Sequence, residues 1–338
     1  MARFIRTASE RHPSAEIREY DSLWRWSVSE PESFWRLMLE VSGLVHTGPV
    51  EPTLAPREWP GSRYFPEVEL NFAENLLRHR DDQVALISVS ESRPTREFTF
   101  AQLSEKVAHM AAALQSSGVG RGDRVVGFLP NTDEAIIAML GAASLGAIWS
   151  SCSPDFGAQG VLDRFGQIEP KVLLAANGYT YGGKVFDCTA KLTDILAKIP
   201  SIETLVLLPY VESHSAEVEG AKDRLTLWDR FVARRSGATD IPFAKLPFNH
   251  PLYIMYSSGT TGLPKSIVHG AGGTLLQHAK EHLLHTDLRR CDNLLYFTTC
   301  GWMMWNWQVS SLFAGNAITL FDGSPGLPGP ERLWQVVA

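Results

Sequence analysis

The stretch of the sequence richest in reactive and ligand-binding side chains reads YIMYSSGTTGLPKSIVHG and runs from Tyr253 to Gly270. Directly after an apolar run it supplies hydroxyl groups, glycines and one cation: Ser257, Ser258, Gly259, Thr260, Thr261, Gly262 and Lys265. Hydroxyls and glycine N–H groups donate hydrogen bonds to oxygen anions at close range, and a lysine adds positive charge. This combination suits a polyphosphate. Composition alone leaves a second interpretation open, an ordinary surface hairpin turn rich in serine and glycine.

The spacing of these residues excludes one kind of ATP site. A Walker A loop has four residues between its glycines and a lysine directly after the second glycine. Here two residues separate Gly259 from Gly262, and two more precede Lys265. The upstream glycines of GVGRGD, residues 118–123, do not fit the dinucleotide pattern G-x-G-x-x-G and predict a helix-to-strand turn instead.

Two further groups of residues have metal-binding or nucleophilic side chains. His278, His282 and His285 fall at i, i+4 and i+7, on one face of a helix. That spacing is compatible with zinc, but no HExxH motif or carboxylate partner accompanies it, so we expect a solvated face and no metal site. Cys300, beside Gly301, is expected to be a small buried residue, because no His–Asp context supports a nucleophile.

The composition is that of a globular, acidic protein. Of 338 residues, 44% are hydrophobic, and the formal net charge is −6. Binding to nucleic acid or to a membrane surface would favour an excess of Lys and Arg, so neither partner is expected. We find no apolar stretch near the ~18 residues of a membrane span, and no signal-peptide core near the N-terminus. Four scattered cysteines without CxxC spacing indicate reduced thiols and a cytoplasmic location.

The elements that would position these residues alternate regularly from residue 76 onward. Apolar segments such as VALISV, RVVGFLP, KVLLAAN and TLVLLPYV predict strands, and amphipathic or apolar segments between them predict helices. Strands that are apolar throughout and separated by helices indicate an α/β fold whose parallel sheet is covered on both faces. Thr99 and Gln102 form a predicted capping box, and Gly118 stands where that helix ends. The segment PLYIMY, before the hydroxyl-rich loop, is a predicted buried strand.

The first 75 residues are irregular and rich in tryptophan. One clear helix is predicted there, with an apolar face and with Ser29 as its N-cap. That face comprises Phe34, Leu37, Met38 and Val41. At the other end of the chain, ERLWQVVA predicts a short amphipathic helix.

The loop resembles the signature of the adenylate-forming superfamily of acyl-CoA synthetases, luciferases and peptide-synthetase adenylation domains. It matches the pattern [ST]-[ST]-G-[ST]-[ST]-G-x-P-K at every position, and Ser266 then replaces a common glycine. The resemblance implies that residues 257–262 hold the β- and γ-phosphates of ATP. Lys265 and Thr260 would act catalytically, with Lys265 neutralising phosphate charge while a carboxylate attacks the α-phosphate. The resemblance also implies that the reaction uses Mg²⁺ and coenzyme A.

Other segments resemble the acetyl-CoA synthetase branch, and GWMMWNW is most similar to its acetoacetate-activating members. In that branch the residues after Gly-Trp line the acyl pocket, which would be walled here by Trp302, Met303 and Met304. The alternative is that these are core side chains. Lys184, in YGGK, lies where the branch contacts a CoA phosphate, although Tyr181 departs from the pattern. A solvated loop lysine is the competing interpretation.

The resemblance implies layered parallel and mixed sheets flanked by helices, in the N-terminal part of a large AMP-binding domain. It divides the chain into an N-terminal extension (1–75), a first α/β subdomain (76–250) and the start of a second (251–338), apparently truncated. The adenine, ribose and Mg²⁺ motifs and a mobile C-terminal domain would follow position 338, so we expect the chain alone to be nearly inactive. The expected reaction joins acetoacetate to CoA through an acyl-adenylate. The alternatives are acetate or propionate as substrate, and a non-catalytic nucleotide-binding or interaction module.

Overall fold

The computed structural model describes residues 1–55, 61–235, 237–257 and 262–337. The helices in these ranges are α1 (Ala2–Arg11), α2 (Tyr20–Ser29), α3 (Pro31–Ser42), α4 (Phe72–Leu76), α5 (Phe100–Ser116), α6 (Asp133–Ser144), α7 (Ala158–Phe165), α8 (Thr189–Lys198), α9 (Trp228–Ala233), α10 (Ala271–Lys280), α11 (Met303–Ser310) and α12 (Arg332–Val337). Short 3₁₀ helices occupy Pro13–Ala15 and Ser311–Ala314, and a π-helical turn, Glu281–His285, continues α10.

The strands in the described ranges are β1 (Leu54–Ala55), β2 (Arg63–Tyr64), β3 (Glu69–Leu70), β4 (Val84–Ser90), β5 (Arg96–Thr99), β6 (Arg124–Phe128), β7 (Ile148–Cys152), β8 (Val172–Ala176), β9 (Gly178–Tyr181), β10 (Lys184–Asp187), β11 (Thr204–Leu208), β12 (Leu225–Leu227), β13 (Leu246–Pro247), β14 (Pro251–Ser257), β15 (Lys265–Gly270), β16 (Asn293–Leu295) and β17 (Ala317–Asp322).

The larger sheet has the strand order β12-β11-β8-β6-β7-β14-β15. Neighbours from β12 to β14 run parallel, and β15 forms an edge antiparallel to β14. Strand β8 is buried at every position, as expected for a parallel strand covered on both faces. The predicted α/β fold with parallel and mixed sheets is confirmed.

A second sheet has the order β16-β17-β4-β5. Strand β4 pairs in parallel with β17, although more than 200 residues separate them in the chain. Alternation along the sequence did not indicate that β4 and β5 leave the first sheet, because pairing partners are set by tertiary packing. Strands from both sides of residue 251 share both sheets, and the subdomain division at that residue stays a prediction.

Two clusters of buried side chains form the core. One cluster joins α5 and α6 to strands of both sheets, and α6 is buried along its whole length. The other packs α7 and α8 on the opposite face of the larger sheet. Within β8, Val172 and Leu174 face the first cluster while Leu173 and Ala175 face the second, which is the two-residue period of a strand.

The predicted helix boundaries are mostly correct. Thr99 and Gln102 form the reciprocal capping bonds of α5, and Gly118 follows it with φ +78°. The N-cap predicted at Ser29 is wrong: Ser29 ends α2, and Glu30 caps α3. Pro31 explains the shift, because proline favours the first helical position and so places the cap one residue before it.

The expected apolar face of α3 is only partly correct. Phe34, Leu37 and Met38 are buried, whereas Val41 is 40% exposed. The terminal amphipathic segment forms α12, which has no buried residue in the described part of the chain, and its Trp334 is 76% exposed.

Candidate functional site

The hydroxyl-rich loop lies between β14 and β15, the last two strands at one edge of the larger sheet. Strands β14 and β15 form an antiparallel hairpin in which Ser257 stands opposite Lys265. Ser257 is half-buried, and Gly262 and Lys265 are exposed. Ser258, Gly259, Thr260 and Thr261 lie outside the described residues. Both interpretations of the loop, hairpin turn and phosphate site, are therefore compatible with its position: it is a hairpin loop at the carboxyl end of a parallel strand.

The surroundings of Lys265 leave it available to an anion. None of the described acidic side chains forms an ion pair with it. A Cβ built on Gly262 would meet no atom of the described residues within 4 Å, so these residues leave the approach to its backbone open. An exposed, unpaired cation beside an open glycine fits a phosphate group.

Gln167, which the sequence did not single out, holds the hairpin on both sides of Lys265. Its Nε2 donates to the carbonyl of Pro264 at 2.8 Å, and its Oε1 accepts from Ser266 Oγ at 3.2 Å. Gln167 follows α7, almost a hundred residues earlier in the chain. No local sequence pattern identifies Gln167, because its contact with the hairpin depends on how α7 packs against the sheet.

The segment that carries Trp302 is fixed over the carboxyl ends of β6 and β7. Asn131 Nδ2 donates to the carbonyl of Thr298 at 3.1 Å, and Ser151 Oγ donates to that of Cys300 at 2.7 Å. Trp305 Nε1 donates to Asn131 Oδ1 at 3.0 Å, which ties α11 to the same point. Ligands of parallel α/β sheets bind at this edge.

The tryptophans and methionines of this segment differ in their exposure to solvent. Trp302 caps α11 and is 64% exposed, Met303 is 47% exposed, and Met304 is half-buried. Trp302 and Met303 are therefore not core side chains, whereas the fully buried Trp305 is one. Whether the three predicted pocket residues line an acyl site stays a prediction. Cys300 is buried, as predicted, and burial raises the pKa of its thiol.

Lys184 begins β10 in a hairpin with β9 and stands opposite Tyr181, and both side chains are exposed. The turn between them is held by Glu91, whose carboxylate accepts the N–H groups of Gly182 at 3.1 Å and Gly183 at 2.5 Å. Both glycines have positive φ, +61° and +74°, which a side chain would oppose. Lys184 therefore stands on a well-defined turn.

The histidines are not on a solvated face, which corrects the prediction. His278 and His282 are buried, and only His285 of the three is exposed. His278 Nδ1 lies 2.9 Å from Ser310 Oγ, and His282 Nε2 donates to the carbonyl of Trp307 at 2.9 Å. Burial lowers the pKa of His278 to about 3 and that of His282 to about 4. The spacing of the histidines in the sequence indicates that they share one face of a helix, but it does not indicate that α11 covers this face.

An acidic pair at the start of α6 was also missed. Asp133 and Glu134 are buried and pair with Arg96, and Arg93 joins Glu134 at 3.0 Å. Burial and the neighbouring Glu134 raise the pKa of Asp133 to about 7, against the effect of Arg96. These groups line a cavity of about 540 Å³, but each arginine already faces a carboxylate. The signal, two acids opening an otherwise apolar helix, was visible in the sequence.

Comparison with known proteins identifies the family. A model described as AMP-binding enzyme matches residues 72–338, most of the chain. The chain belongs to the AMP-binding enzyme family. A second model, acetyl-coenzyme A synthetase N-terminus, matches residues 20–76. The expected resemblance to adenylate-forming enzymes of the acetyl-CoA synthetase branch is confirmed.

Relatives within the AMP-binding enzyme family share both sequence and structure with this chain. It is 45% identical to the acetoacetyl-CoA synthetase of Macaca fascicularis, over 95% of this chain and 49% of the relative. It is 38% identical to a malonamoyl-CoA synthetase of Penicillium aethiopicum, over 93% of this chain and 45% of the relative. The solved acetoacetyl-CoA synthetase of Streptomyces lividans superposes with a TM-score of 0.92 at 40% identity, covering 99% of this chain and 51% of that one.

The chain thus spans about half the length of the curated relatives that it matches. In the described residues of this AMP-binding enzyme, no helix has the length and apolar character needed to cross a membrane. The described residues also contain no group of three or more His, Cys, Asp or Glu arranged to hold a metal ion. All four cysteines are free thiols.

Proposed function

We propose that this protein activates acetoacetate with ATP, forming an acyl-adenylate, and transfers the acyl group to coenzyme A. The observation that carries the proposal is the signature hairpin: an exposed Lys265, with no ion-pair partner among the described residues, opposite Ser257 at the carboxyl end of a parallel strand. Family membership supports an AMP-linked reaction, and the names of the relatives support acetoacetate.

In the first step, a carboxylate oxygen attacks the α-phosphorus of ATP and pyrophosphate leaves. The negative charge that accumulates on the leaving group is the main electrostatic problem, so catalysis consists largely of positioning and charge neutralisation. Lys265 would neutralise the β- and γ-phosphates, with hydroxyl and N–H donors from residues 257–262. Thr260 keeps its predicted role within the part of that loop that lies outside the described residues.

In the second step, the CoA thiolate attacks the acyl carbon and AMP leaves. Lys184, exposed on its turn, is the proposed contact for a CoA phosphate. Mg²⁺ supplies further charge neutralisation on the phosphates in reactions of this kind. The described residues offer no ligand cluster for it, and no step here depends on it.

For the acyl group, the exposed Trp302 and Met303 and the half-buried Met304 form the proposed pocket wall. Methionine is flexible and accommodates acyl groups of different shape. The acetoacetyl and malonamoyl groups named in two relatives share a carbonyl at the third carbon. This shared group favours a 3-oxo acid over acetate or propionate. The domain division at residues 75 and 250 and the cytoplasmic location also stay proposals.

The test is acid-dependent exchange of labelled pyrophosphate into ATP. The 338-residue chain and the longest polypeptide that its gene encodes are each assayed with acetoacetate, acetate and propionate. We expect kcat/KM for acetoacetate to exceed the other two at least tenfold, with little turnover by the 338-residue chain alone.

Each alternative has a distinct result. A preference for acetate or propionate would make this an acetyl- or propionyl-CoA synthetase. ATP binding without exchange by either polypeptide would favour the non-catalytic module.

A further inference from the structure

A narrow cleft opens where β7 and β14 separate beneath the start of α11. Among the described residues the two strands share a single ladder pair, Tyr253 with Trp149. Beyond it, Ser150 Oγ bonds the carbonyl of Ile254 at 2.8 Å in place of a backbone bond. The cleft is lined by Trp149, Ser150, Ser151, Tyr253, Ile254, Met255, Tyr256, Cys300, Gly301 and Asn306. It therefore adjoins the segment proposed to carry the acyl pocket.

Asn306 is the polar side chain of this cleft whose hydrogen bonds are incomplete. It is 3% exposed, and its Oδ1 is buried without a partner. Among the described residues its Nδ2 donates only to the thioether sulfur of Met255, at 3.6 Å, and such a sulfur is a weak acceptor. Buried amides in folded proteins are normally paired, and an unpaired one is costly. Because the described partner of its Nδ2 hydrogens is this weak acceptor, Asn306 retains N–H donors for a ligand oxygen, while its Oδ1 needs a separate donor such as water.

We propose that Asn306 determines acyl specificity by donating an N–H to the C3 carbonyl oxygen of a 3-oxo carboxylic acid. The inference rests on the proposed function and adds to it the residue that distinguishes acetoacetate from a saturated acid of equal length. A pocket that hydrogen-bonds a substrate group disfavours the analogue that lacks it, because its own polar group is then left unpaired.

The chemistry of the cleft favours a neutral oxygen on a short apolar chain. Its lining residues carry no formal charge, and half of them have aromatic or sulfur-containing side chains. The cleft in its present form has room for about one water molecule. Entry of the acyl chain therefore requires Met255 to move, and this half-buried residue has the flexible side chain to do so. Water bound to Asn306 is the competing occupant.

The experiment compares binding of sodium acetoacetate with that of sodium butyrate, which has the same four-carbon chain without the carbonyl. Dissociation constants are measured by ligand-observed NMR for the wild-type chain, Asn306→Leu and Asn306→Ala. Leucine matches the shape of asparagine without its hydrogen bonds, and alanine avoids any steric clash. We expect the wild type to prefer acetoacetate about tenfold, and both variants to bind the two acids about equally.

Asn316→Leu is the matched control. Asn316 is also fully buried with an unpartnered Oδ1, but it does not line the cleft, so its variant should retain the preference. Near-ultraviolet circular dichroism checks that each variant is folded. A preference that survives in both Asn306 variants would overturn the inference, assign the site to water and leave the proposed function standing. Equal binding of the two acids by the wild type, or binding of neither, would also overturn the inference, and the pyrophosphate exchange assay described above then decides the proposed function separately.

Discussion

At the scale of single residues, burial divides the basic side chains of the site region into two groups. Lys265 and Lys184 are exposed at the first positions of β15 and β10, where a ligand can reach their ammonium groups. His278 and His282 are enclosed between α10 and α11, where charge is disfavoured and each ring makes a hydrogen bond, His278 with Ser310 and His282 with the carbonyl of Trp307. The first group is suited to binding anions, and the second group holds α11 in position behind the proposed acyl pocket.

His282 makes a prediction about acid stability. Its pKa of about 4 in the folded chain lies below the ordinary 6.5, so the unfolded chain takes up a proton that the folded chain does not. Above pH 6.5 the ring is neutral in the folded and the unfolded chain, so His282 does not lower the unfolding free energy. As the pH falls from 6.5 towards 4, protonation of the ring in the unfolded chain lowers the unfolding free energy. Between pH 7.5 and 5.0, His282 should therefore cost up to about 2 kcal/mol of unfolding free energy.

Urea unfolding of the wild type and His282→Gln at both pH values measures this effect. Glutamine can still donate to the carbonyl of Trp307 but does not titrate, so the variant should lose less stability on acidification. His285→Gln, at an exposed position, serves as the control and should behave like the wild type. An equal loss in His282→Gln and the wild type would contradict the assigned pKa.

At the scale of elements, the hairpin of β14 and β15 depends on a residue outside it. Gln167 bonds the backbone before Lys265 and the side chain after it, so it limits how the exposed end of the hairpin moves. An edge strand with one neighbour has few other restraints.

Replacing Gln167 with leucine should weaken ATP binding about threefold. In the wild type Gln167 already restricts the hairpin that carries Lys265, whereas in the variant the hairpin would lose that conformational entropy only when ATP binds. Calorimetric titration with ATP measures the change. Gln159→Leu is the matched control, since the hydrogen bond that the described structure gives the Gln159 side chain is to Asp163, within α7. An unchanged dissociation constant in Gln167→Leu would show that the hairpin needs no such support.

The sequence predicted the positions of helices and strands better than it predicted which of them pack against each other. Period and composition located β8, α5 and the strand before the loop, since these signals are local. The burial of His278, the contact of Gln167 with Pro264 and the orphan amide of Asn306 depend on which elements pack together. The Ser29 error had a local cause, because Pro31 fixes the helix start. The signature loop was identifiable because a phosphate site of this kind is built from consecutive residues.

At the scale of the whole molecule, one buried cluster unites the two sheets around α6. Tyr210 adds a polar link, donating to Asp322 Oδ2 at 2.7 Å between the end of the larger sheet and β17. Glu91 adds another, bonding the Lys184 turn and the N–H of Ser324 at 2.8 Å. The proposed phosphate, acyl and CoA contacts thus stand on elements that are fixed to a common core.

The central claim is that the β14–β15 hairpin binds the phosphates of ATP through Lys265. Titration calorimetry with ATP on the wild type, Lys265→Ala and the exposed control Lys198→Ala tests it most directly. A lost charged contact to phosphate should raise the dissociation constant of Lys265→Ala at least tenfold, with Lys198→Ala unchanged. Equal affinity in Lys265→Ala and the wild type, or an equal loss in both variants, would contradict the account.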